Sequence, residues 1–205
     1  MSSSSDQSGN GSGEPAQAPM SSPEVHAVFR DIHLGFSVHA LEEKRPDQAF
    51  IRVDKDDAVS LLGHLKRLSG YTHLSFFTAI DRIEEGVFRL LYMVHNYELT
   101  HDLGVLVEIP RDGEACRMDS IHHLWPAAET YQRELREMFG IEFPGSPRLY
   151  EDFALEGWEG PPPMRKEFDT RAYSEETYYV RPGRQTHDTP QQMKEKLYPS
   201  EAETW

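Results

Sequence analysis

The sequence predicts an α+β fold, in which a mainly antiparallel sheet carries flanking helices and a long extended C-terminal arm follows. Two observations carry this prediction. Residues 73–110 contain three successive runs that alternate between apolar and polar side chains, and segments of helical period lie before and after this block. Residues 144–205 hold eight of the 14 prolines and show no periodicity, which favours extended chain there.

The N-terminal part predicts two helices and one strand. Residues 24–36 carry apolar side chains at helical spacing, and residues 48–53 are predicted to form a strand. Residues 54–69 show the clearest helical pattern. Asp54 is placed to cap this helix, and Gly70 follows its last turn, where glycine commonly ends helices.

The middle of the chain predicts the sheet. Residues 73–81 and 87–96 flank a loop that contains Gly86, and this arrangement is typical of a hairpin. Residues 102–110 predict a third strand, and residues 115–119 a short strand after it.

A last helix is predicted to run to Phe139. Pro126 suits its first position, and Gly140 suits the position just after its end. The apolar side chains of this segment share one helical face: Ala128, Tyr131, Leu135 and Met138.

Composition divides the chain into three parts. Residues 1–23 are rich in Ser, Gly and Pro and are predicted to be a disordered N-terminal tail, residues 24–143 to be the α+β domain, and residues 144–205 to be the arm. The arm keeps aromatic residues such as Trp158. Ordering a backbone costs roughly 1 kcal/mol per residue, so the arm either stays disordered or takes its shape by wrapping partner subunits.

Charge and cysteine content exclude several classes of protein. The net charge of −14 argues against nucleic acid and anionic membranes as direct partners. The single cysteine, Cys116, excludes an internal disulfide, a multi-cysteine zinc site and a cysteine-ligated cluster within this chain. No apolar run approaches the roughly 20 residues that span a bilayer.

No pattern predicts catalytic, cofactor-binding or metal-ligating residues. His122 and His123 are adjacent, so they rarely share one ion on a strand or a helix. The charged residues at 133, 134, 136 and 137 have the spacing of a solvated helix face or of a surface that pairs with a partner. Cys116 is predicted to be a buried, unreactive thiol.

One set of motifs is recognisable. Trp-Pro-Ala-Ala stands at 125–128, Gln-Arg-Glu-Leu-Arg-Glu-Met-Phe-Gly-Ile-Glu-Phe at 132–143, Trp-Glu-Gly at 158–160 and Met-Arg-Lys-Glu-Phe at 164–168. Together they resemble the 30-kDa subunit, the C-type subunit of bacteria, of NADH–quinone oxidoreductase, which is respiratory complex I. Related subunits occur in energy-converting membrane-bound hydrogenases. The chain departs from the family pattern at Gln132, where the family usually has Glu.

The resemblance implies a non-catalytic scaffold in the peripheral arm of such a complex, where it supports electron transfer to quinone coupled to ion translocation. It implies that this chain binds no cofactor and that cluster-bearing subunits and a large quinone-site or [NiFe]-type subunit are its partners. It also implies a peripheral position on the cytoplasmic face of the inner membrane, attached only through the complex. The residues it implies as partner contacts are Arg133, Glu134, Phe139, Gly140, Pro147, Trp158, Arg165, Lys166 and Phe168.

Three alternatives remain at this point. The chain is a subunit of an energy-converting [NiFe] hydrogenase or a ferredoxin-driven complex, a stand-alone α+β protein-interaction module, or a self-sufficient hydrolase or oxidoreductase. The missing active-site pattern opposes the last of these.

Overall fold

The computed structural model describes residues 21–177. They belong to two compact units, of which the first ends at Trp158 and the second begins at Glu159. The predicted disordered tail lies outside the described residues except at its end. There Ser22 accepts a hydrogen bond from the backbone N–H of Val25 and caps the first helix, which begins at Pro23. Residues 178–205 of the predicted arm also lie outside the described part.

The described part of the first unit contains three helices and five strands. In chain order they are α1 (Pro23–Gly35), β1 (Val38–Arg45), β2 (Gln48–Val53), α2 (Lys55–Leu68), β3 (His73–Arg82), β4 (Val87–Asn96), β5 (His101–Pro110) and α3 (Ala128–Phe139). The second unit contains α4 (Thr170–Thr177), which the sequence does not predict.

The strands form one sheet in the order β1-β2-β5-β4-β3. Three of the four pairings are antiparallel, and only β2 and β5 run parallel. The predicted mainly antiparallel α+β fold is therefore confirmed. The predicted hairpin is confirmed as well, because β3 and β4 pair along their length around a turn that ends at Gly86, whose φ is 67°.

Strand β1 is absent from the sequence-based prediction because its pattern is irregular. Its pairing register with β2 shifts between Val38 and Ala40 and again between Glu43 and Arg45. Such bulges interrupt the two-residue alternation by which a strand is recognised. The prediction of a strand at 115–119 is wrong. This segment contributes only an isolated bridge, between Arg117 and Glu142.

All three helices of the first unit pack on one face of the sheet, here called the inner face. The buried side chains of this face alternate along the strands, and Ile51, Leu90 and Val105 are examples with at most 1% of their surface exposed. They join the buried faces of α1, α2 and α3 in a single hydrophobic core. The opposite face of the sheet, the outer face, takes no part in that core.

Two pairs of polar side chains in the interior are bonded to each other. The Arg111 guanidinium donates to both carboxylate oxygens of Asp81 at 2.8 and 3.0 Å, and both residues are buried. The Tyr71 hydroxyl lies 2.8 Å from Nδ1 of the buried His101. Asp54 precedes α2 as predicted, but its side chain makes no capping hydrogen bond. Its carboxylate lies 2.7 Å from Nε2 of His39 instead.

The described residues include no helix with the length and apolar character that crossing a membrane requires.

Candidate interaction surface on the third helix

Helix α3 begins later than predicted. Residues 121–126 form a turn in which the N–H groups of Leu124 and Trp125 donate to the Ile121 carbonyl at 2.9 and 3.0 Å. Pro126 is therefore part of this turn, and α3 starts at Ala128. The indole of Trp125 donates to the Thr72 carbonyl at 2.8 Å, which attaches the turn to the start of β3.

The end of α3 is as predicted. Gly140 adopts φ 74°, the left-handed conformation that glycine reaches without strain, and its N–H donates to the Arg136 carbonyl at 2.9 Å. The chain then turns back, so that Ile141 and Phe143 are buried in the same core.

The inward face of α3 carries one polar residue. Gln132 is fully buried, and its side-chain carbonyl accepts a hydrogen bond of 2.8 Å from the Ser120 hydroxyl. Glutamine places a neutral group here. The Glu of the pattern that the sequence resembles would instead bring a charge into the core. A buried charge needs a compensating partner.

The outward face of α3 binds the chain that follows it. The Arg133 guanidinium lies 5.7 Å from the ring centre of Phe153 and pairs with Glu151 at 3.5 Å. The Arg136 guanidinium lies 4.4 Å from the ring centre of Tyr150. These cation–π contacts keep the aromatic rings of this segment on the surface of α3.

Glu137 makes the most specific contact of this surface. Its carboxylate accepts three backbone hydrogen bonds, from Phe153 at 2.6 Å and from Ala154 and Leu155 at 2.9 Å each. Burial by itself raises the pKa of Glu137, but the three N–H groups and the charge of Arg133 outweigh it and hold the pKa below its usual value. The carboxylate thus stays ionised while it binds the backbone.

Residues 144–158 are therefore held by the domain that precedes them. Leu149 is buried, Arg148 forms an ion pair with Glu129, and the Tyr150 hydroxyl donates to Glu142 at 3.0 Å. The division between the compact units falls after Trp158 and not after residue 143. The wrapping of partner subunits by 144–205 stays a prediction.

The predicted contact residues of the first unit occupy different environments. Arg133 and Glu134 are half-buried on α3, and Gly140 ends this helix. Phe139 points into the core, where its ring meets Phe88 edge-on at 5.7 Å. Two more lie beyond α3: Pro147 is exposed and Trp158 is half-buried.

The other predicted contact residues lie in the second unit. Arg165 and Phe168 line a crevice of about 620 Å³ between the proline-rich segment and α4. The ring of Phe168 lies 5.4 Å from that of Tyr173 on this helix. Lys166 is exposed. The role of these residues as partner contacts stays a prediction.

Glu137 is not among the predicted contact residues. The sequence indicates it only as one charge of a helix face that is solvated or meets a partner. Its targets are backbone N–H groups, which carry no residue-specific signal in a sequence. The proline-rich composition after residue 143 also gives no sign that this backbone returns to α3.

The remaining candidates are accounted for by local contacts. Nδ1 of His122 lies 3.1 Å from the Ser120 hydroxyl, and the rings of His122 and His123 are 6.2 Å apart. Within residues 21–177, no group of three or more His, Cys, Asp or Glu side chains is arranged to hold a metal ion. Cys116 is buried, as predicted.

Fold and surface together define an α+β domain, whose charged helix binds the backbone and aromatic rings of the segment that follows it in the same chain. Comparison with known proteins gives the family. Residues 51–174, more than half of the chain, match the family described as respiratory-chain NADH dehydrogenase, 30 Kd subunit. The chain belongs to this family, and the predicted resemblance is confirmed.

Individual relatives agree with this assignment. The chain is 33% identical to the fused C/D-type subunit of NADH-quinone oxidoreductase from Acidiphilium cryptum over 60% of its own length, but it spans only 22% of that relative. It is 29% identical to the C-type subunit of NADH-quinone oxidoreductase from Moorella thermoacetica, over 71% of this chain and 90% of that protein. A solved structure of a membrane-bound sulfane sulfur reductase, an archaeal respiratory membrane complex, contains a chain with a TM-score of 0.67 at 29% identity, which covers 76% of this chain and 91% of that one.

Proposed function

We propose that this chain is a non-catalytic scaffold subunit in the peripheral arm of a complex I-like membrane oxidoreductase. The complex transfers electrons to quinone and couples this to ion translocation. The observation that carries the proposal is the family match over residues 51–174.

The proposed main partner is a D-type subunit. Five of the similar relatives are C/D proteins, in which the part matched by this chain is 14–29% of a longer polypeptide. A domain that is fused to another in relatives is commonly a separate, tightly associated subunit elsewhere. We therefore expect a D-type chain to contact this one directly. Cluster-bearing subunits of the same complex complete the proposed set of partners, and this chain itself holds no cofactor.

The proposed location is the cytoplasmic face of the inner membrane, with attachment only through the other subunits. This fits the acidic charge of −14, which gives the chain no attraction of its own to anionic lipid.

A second candidate differs in the electron acceptor. The similarity to a chain of the sulfane sulfur reductase favours a related respiratory complex in which sulfane sulfur takes the place of quinone. The hydrogenase-type and ferredoxin-driven assemblies stay predictions of the sequence alone.

The test is purification of the native complex. We expect an affinity-tagged copy, isolated from membranes in a mild detergent, to bring a D-type subunit and iron–sulfur proteins with it. Cluster signals in electron paramagnetic resonance should come from the complex and be missing from the isolated chain. Recovery of the tagged chain as a lone monomer would reject the proposal. Quinone reduction and sulfane sulfur reduction, assayed on the same preparation, separate the two candidates.

A further inference from the structure

The outer face of the sheet is unusually apolar for a face that takes no part in the core. Its central side chains come from β2, β3, β4 and β5: Phe50, Phe76, Thr78, Ile80, Leu91, Met93 and Leu106. Phe76 keeps 38% of its surface exposed and Ile80 keeps 44%. The outer face of an open antiparallel sheet is ordinarily polar, and a contiguous apolar patch marks an interaction surface.

A glycine in the middle of this patch makes room for an aromatic ring. Gly104 in β5 pairs with Phe50 in β2, and the Phe50 ring lies directly over the glycine. A Cβ atom at position 104 would come within 2.4 Å of that ring. Glycine therefore lets the Phe50 ring approach the backbone of β5 more closely than any other residue at position 104 would.

One guanidinium of the patch is not engaged in an ion pair. Arg52 is half-buried beside Leu106 in the pairing of β2 with β5, and it forms no ion pair with any residue that the structure describes. Arg52 lines a hollow in the protein surface together with two carboxylates, but each carboxylate binds another residue. Asp54 lies 2.7 Å from His39, and Glu108 accepts a hydrogen bond of 2.9 Å from Arg89.

We propose that the outer face is the docking surface for the D-type partner subunit, which covers it with an apolar segment that carries a carboxylate opposite Arg52. This inference rests on the proposed function. A half-buried guanidinium that loses its remaining water needs an acidic partner. The apolar side chains around it supply contact area, and Arg52 sets the register of the partner segment.

A second copy of this chain, centred on the same patch, brings no carboxylate to Arg52. One row across the sheet runs from Arg52 through Leu106 and Leu91 to Thr78. In a face-to-face dimer, a twofold axis along the strands places Arg52 opposite Thr78 of the other copy. An axis along the row places Arg52 opposite its own equivalent. Neither arrangement supplies a carboxylate.

The N-terminal residues do not fit either. Residues 1–20 contain no aromatic residue and only two Met and two Ala among their apolar residues. Ser21, which follows them, is bound at the edge strand β1, because its backbone N–H donates to Glu43 at 2.9 Å.

The test compares two pairs of exposed apolar residues. Phe76→Ser/Ile80→Ser removes apolar surface from the outer face. Leu34→Ser/Leu68→Ser is the matched control on α1 and α2, where the two leucines are 87% and 77% exposed. Each tagged variant replaces the native chain, and the D-type subunit recovered per tagged chain is quantified. We expect recovery to fall at least about tenfold for the first variant and to stay within about twofold for the control.

Arg52 gives a second comparison. Arg52→Glu should lower recovery of the D-type subunit about tenfold, whereas Arg52→Lys, which keeps the charge, should retain most of it. A photo-crosslinking amino acid at position 76 of the otherwise intact chain avoids any loss of folding. It should crosslink to the D-type subunit in the native complex, and the same probe at position 34 should not.

The outcomes separate this inference from the proposed function. If the unaltered chain recovers no other subunit, the proposed function fails and the inference with it. If the unaltered chain recovers the D-type subunit and the outer-face variants recover it equally, the inference alone is wrong. A crosslink from position 76 to a second copy, or to residues 178–205 of the same chain, would also overturn it.

Discussion

The two faces of the sheet differ although they are made by the same strands. Leu90 and Leu91 are neighbours in β4, yet Leu90 is fully buried in the core under the helices while Leu91 is half-buried on the outer face. Residue type does not distinguish them, since the patterns on both faces are rich in apolar side chains. Helices α1, α2 and α3 cover the inner face, and they leave the outer face uncovered.

Apolar composition alone therefore does not locate a core. A sheet that is apolar on both faces needs two covering layers, and the described helices of the first unit supply one of them. Substitutions on the inner face should therefore mainly lower the free energy of unfolding. Substitutions on the outer face should mainly weaken assembly with the partner subunit.

The largest expected effect comes from the buried ion pair at the end of the sheet. Arg111→Ala leaves the buried Asp81 carboxylate without its main counter-charge, and we expect a loss of about 3–5 kcal/mol in the free energy of unfolding. Arg89→Ala on the outer face breaks a more exposed pair with Glu108 and should cost about 1 kcal/mol or less. Urea unfolding of the isolated chain measures both, and equal losses would contradict the distinction between the faces.

The neighbouring leucines give the sharpest comparison. Leu90→Ala opens a cavity in the core and should cost about 3 kcal/mol, whereas Leu91→Ala, from a half-buried position, should cost about 1 kcal/mol. Thermal and urea unfolding of the two variants provide the measurement. If Leu91→Ala destabilised the isolated chain as much as Leu90→Ala, another part of the same chain would have to cover the outer face.

A smaller effect is expected from the carboxylate that holds residues 153–155. Glu137→Ala removes the acceptor of three backbone N–H groups and should cost about 2 kcal/mol. Limited trypsin digestion should then show faster cleavage after Arg148. Glu134→Ala, three residues earlier on α3, is the control and should leave the cleavage rate unchanged.

The same contact predicts a response to acid. Because the pKa of Glu137 is lower in the folded chain than its ordinary value of 4.5, its contribution is present above that pH. The contribution is lost as the pH falls through the folded-state pKa. Faster pepsin cleavage at the aromatic and leucine residues of 149–155 at acid pH should therefore be seen in the unaltered chain and not in Glu137→Ala. An equal acid response in both would show that another group is responsible.

The smallest effect concerns His101 on the inner face. Burial lowers the pKa of this imidazole below its ordinary value of 6.5, although the charges of Asp102, Asp47 and Glu43 oppose this. The neutral ring is therefore favoured in the folded chain. Stability should be unaffected above about pH 6.5 and should decline as the pH falls from there toward the folded-state pKa. Urea unfolding on either side of that pH tests this, and His101→Gln should reduce the difference between the two values.

Much of the fold could be predicted because its elements are periodic. The two-residue alternation of β3, β4 and β5 and the apolar stripe of α2 are visible without a structure. The bulges of β1 hide its alternation, and the pairing of β2 with β5 depends on a contact between distant segments. Sequence patterns carry no direct record of such a contact.

The surface on α3 is predictable only in part. Arg133 is recognisable through a motif, and in the structure it contacts the following segment of the same chain, while its role as a partner contact stays a prediction. Glu137 escapes recognition because it binds main-chain groups that every residue shares. The outer face carries no distinguishing signal, since Phe76, Thr78 and Ile80 form the same alternation that a core-facing strand shows. Only the packing of the helices reveals that this alternation faces away from them.

The parallel pairing of β2 with β5 also orders the events of biosynthesis. Phe50 in β2 pairs with Gly104 in β5. The hairpin formed by β1 and β2 therefore cannot pair with the rest of the sheet until β5 has emerged from the ribosome. Until then the Phe50 ring lacks the glycine that it rests on. The nascent hairpin is thus accessible to a chaperone or an aggregating neighbour until β5 has been synthesised.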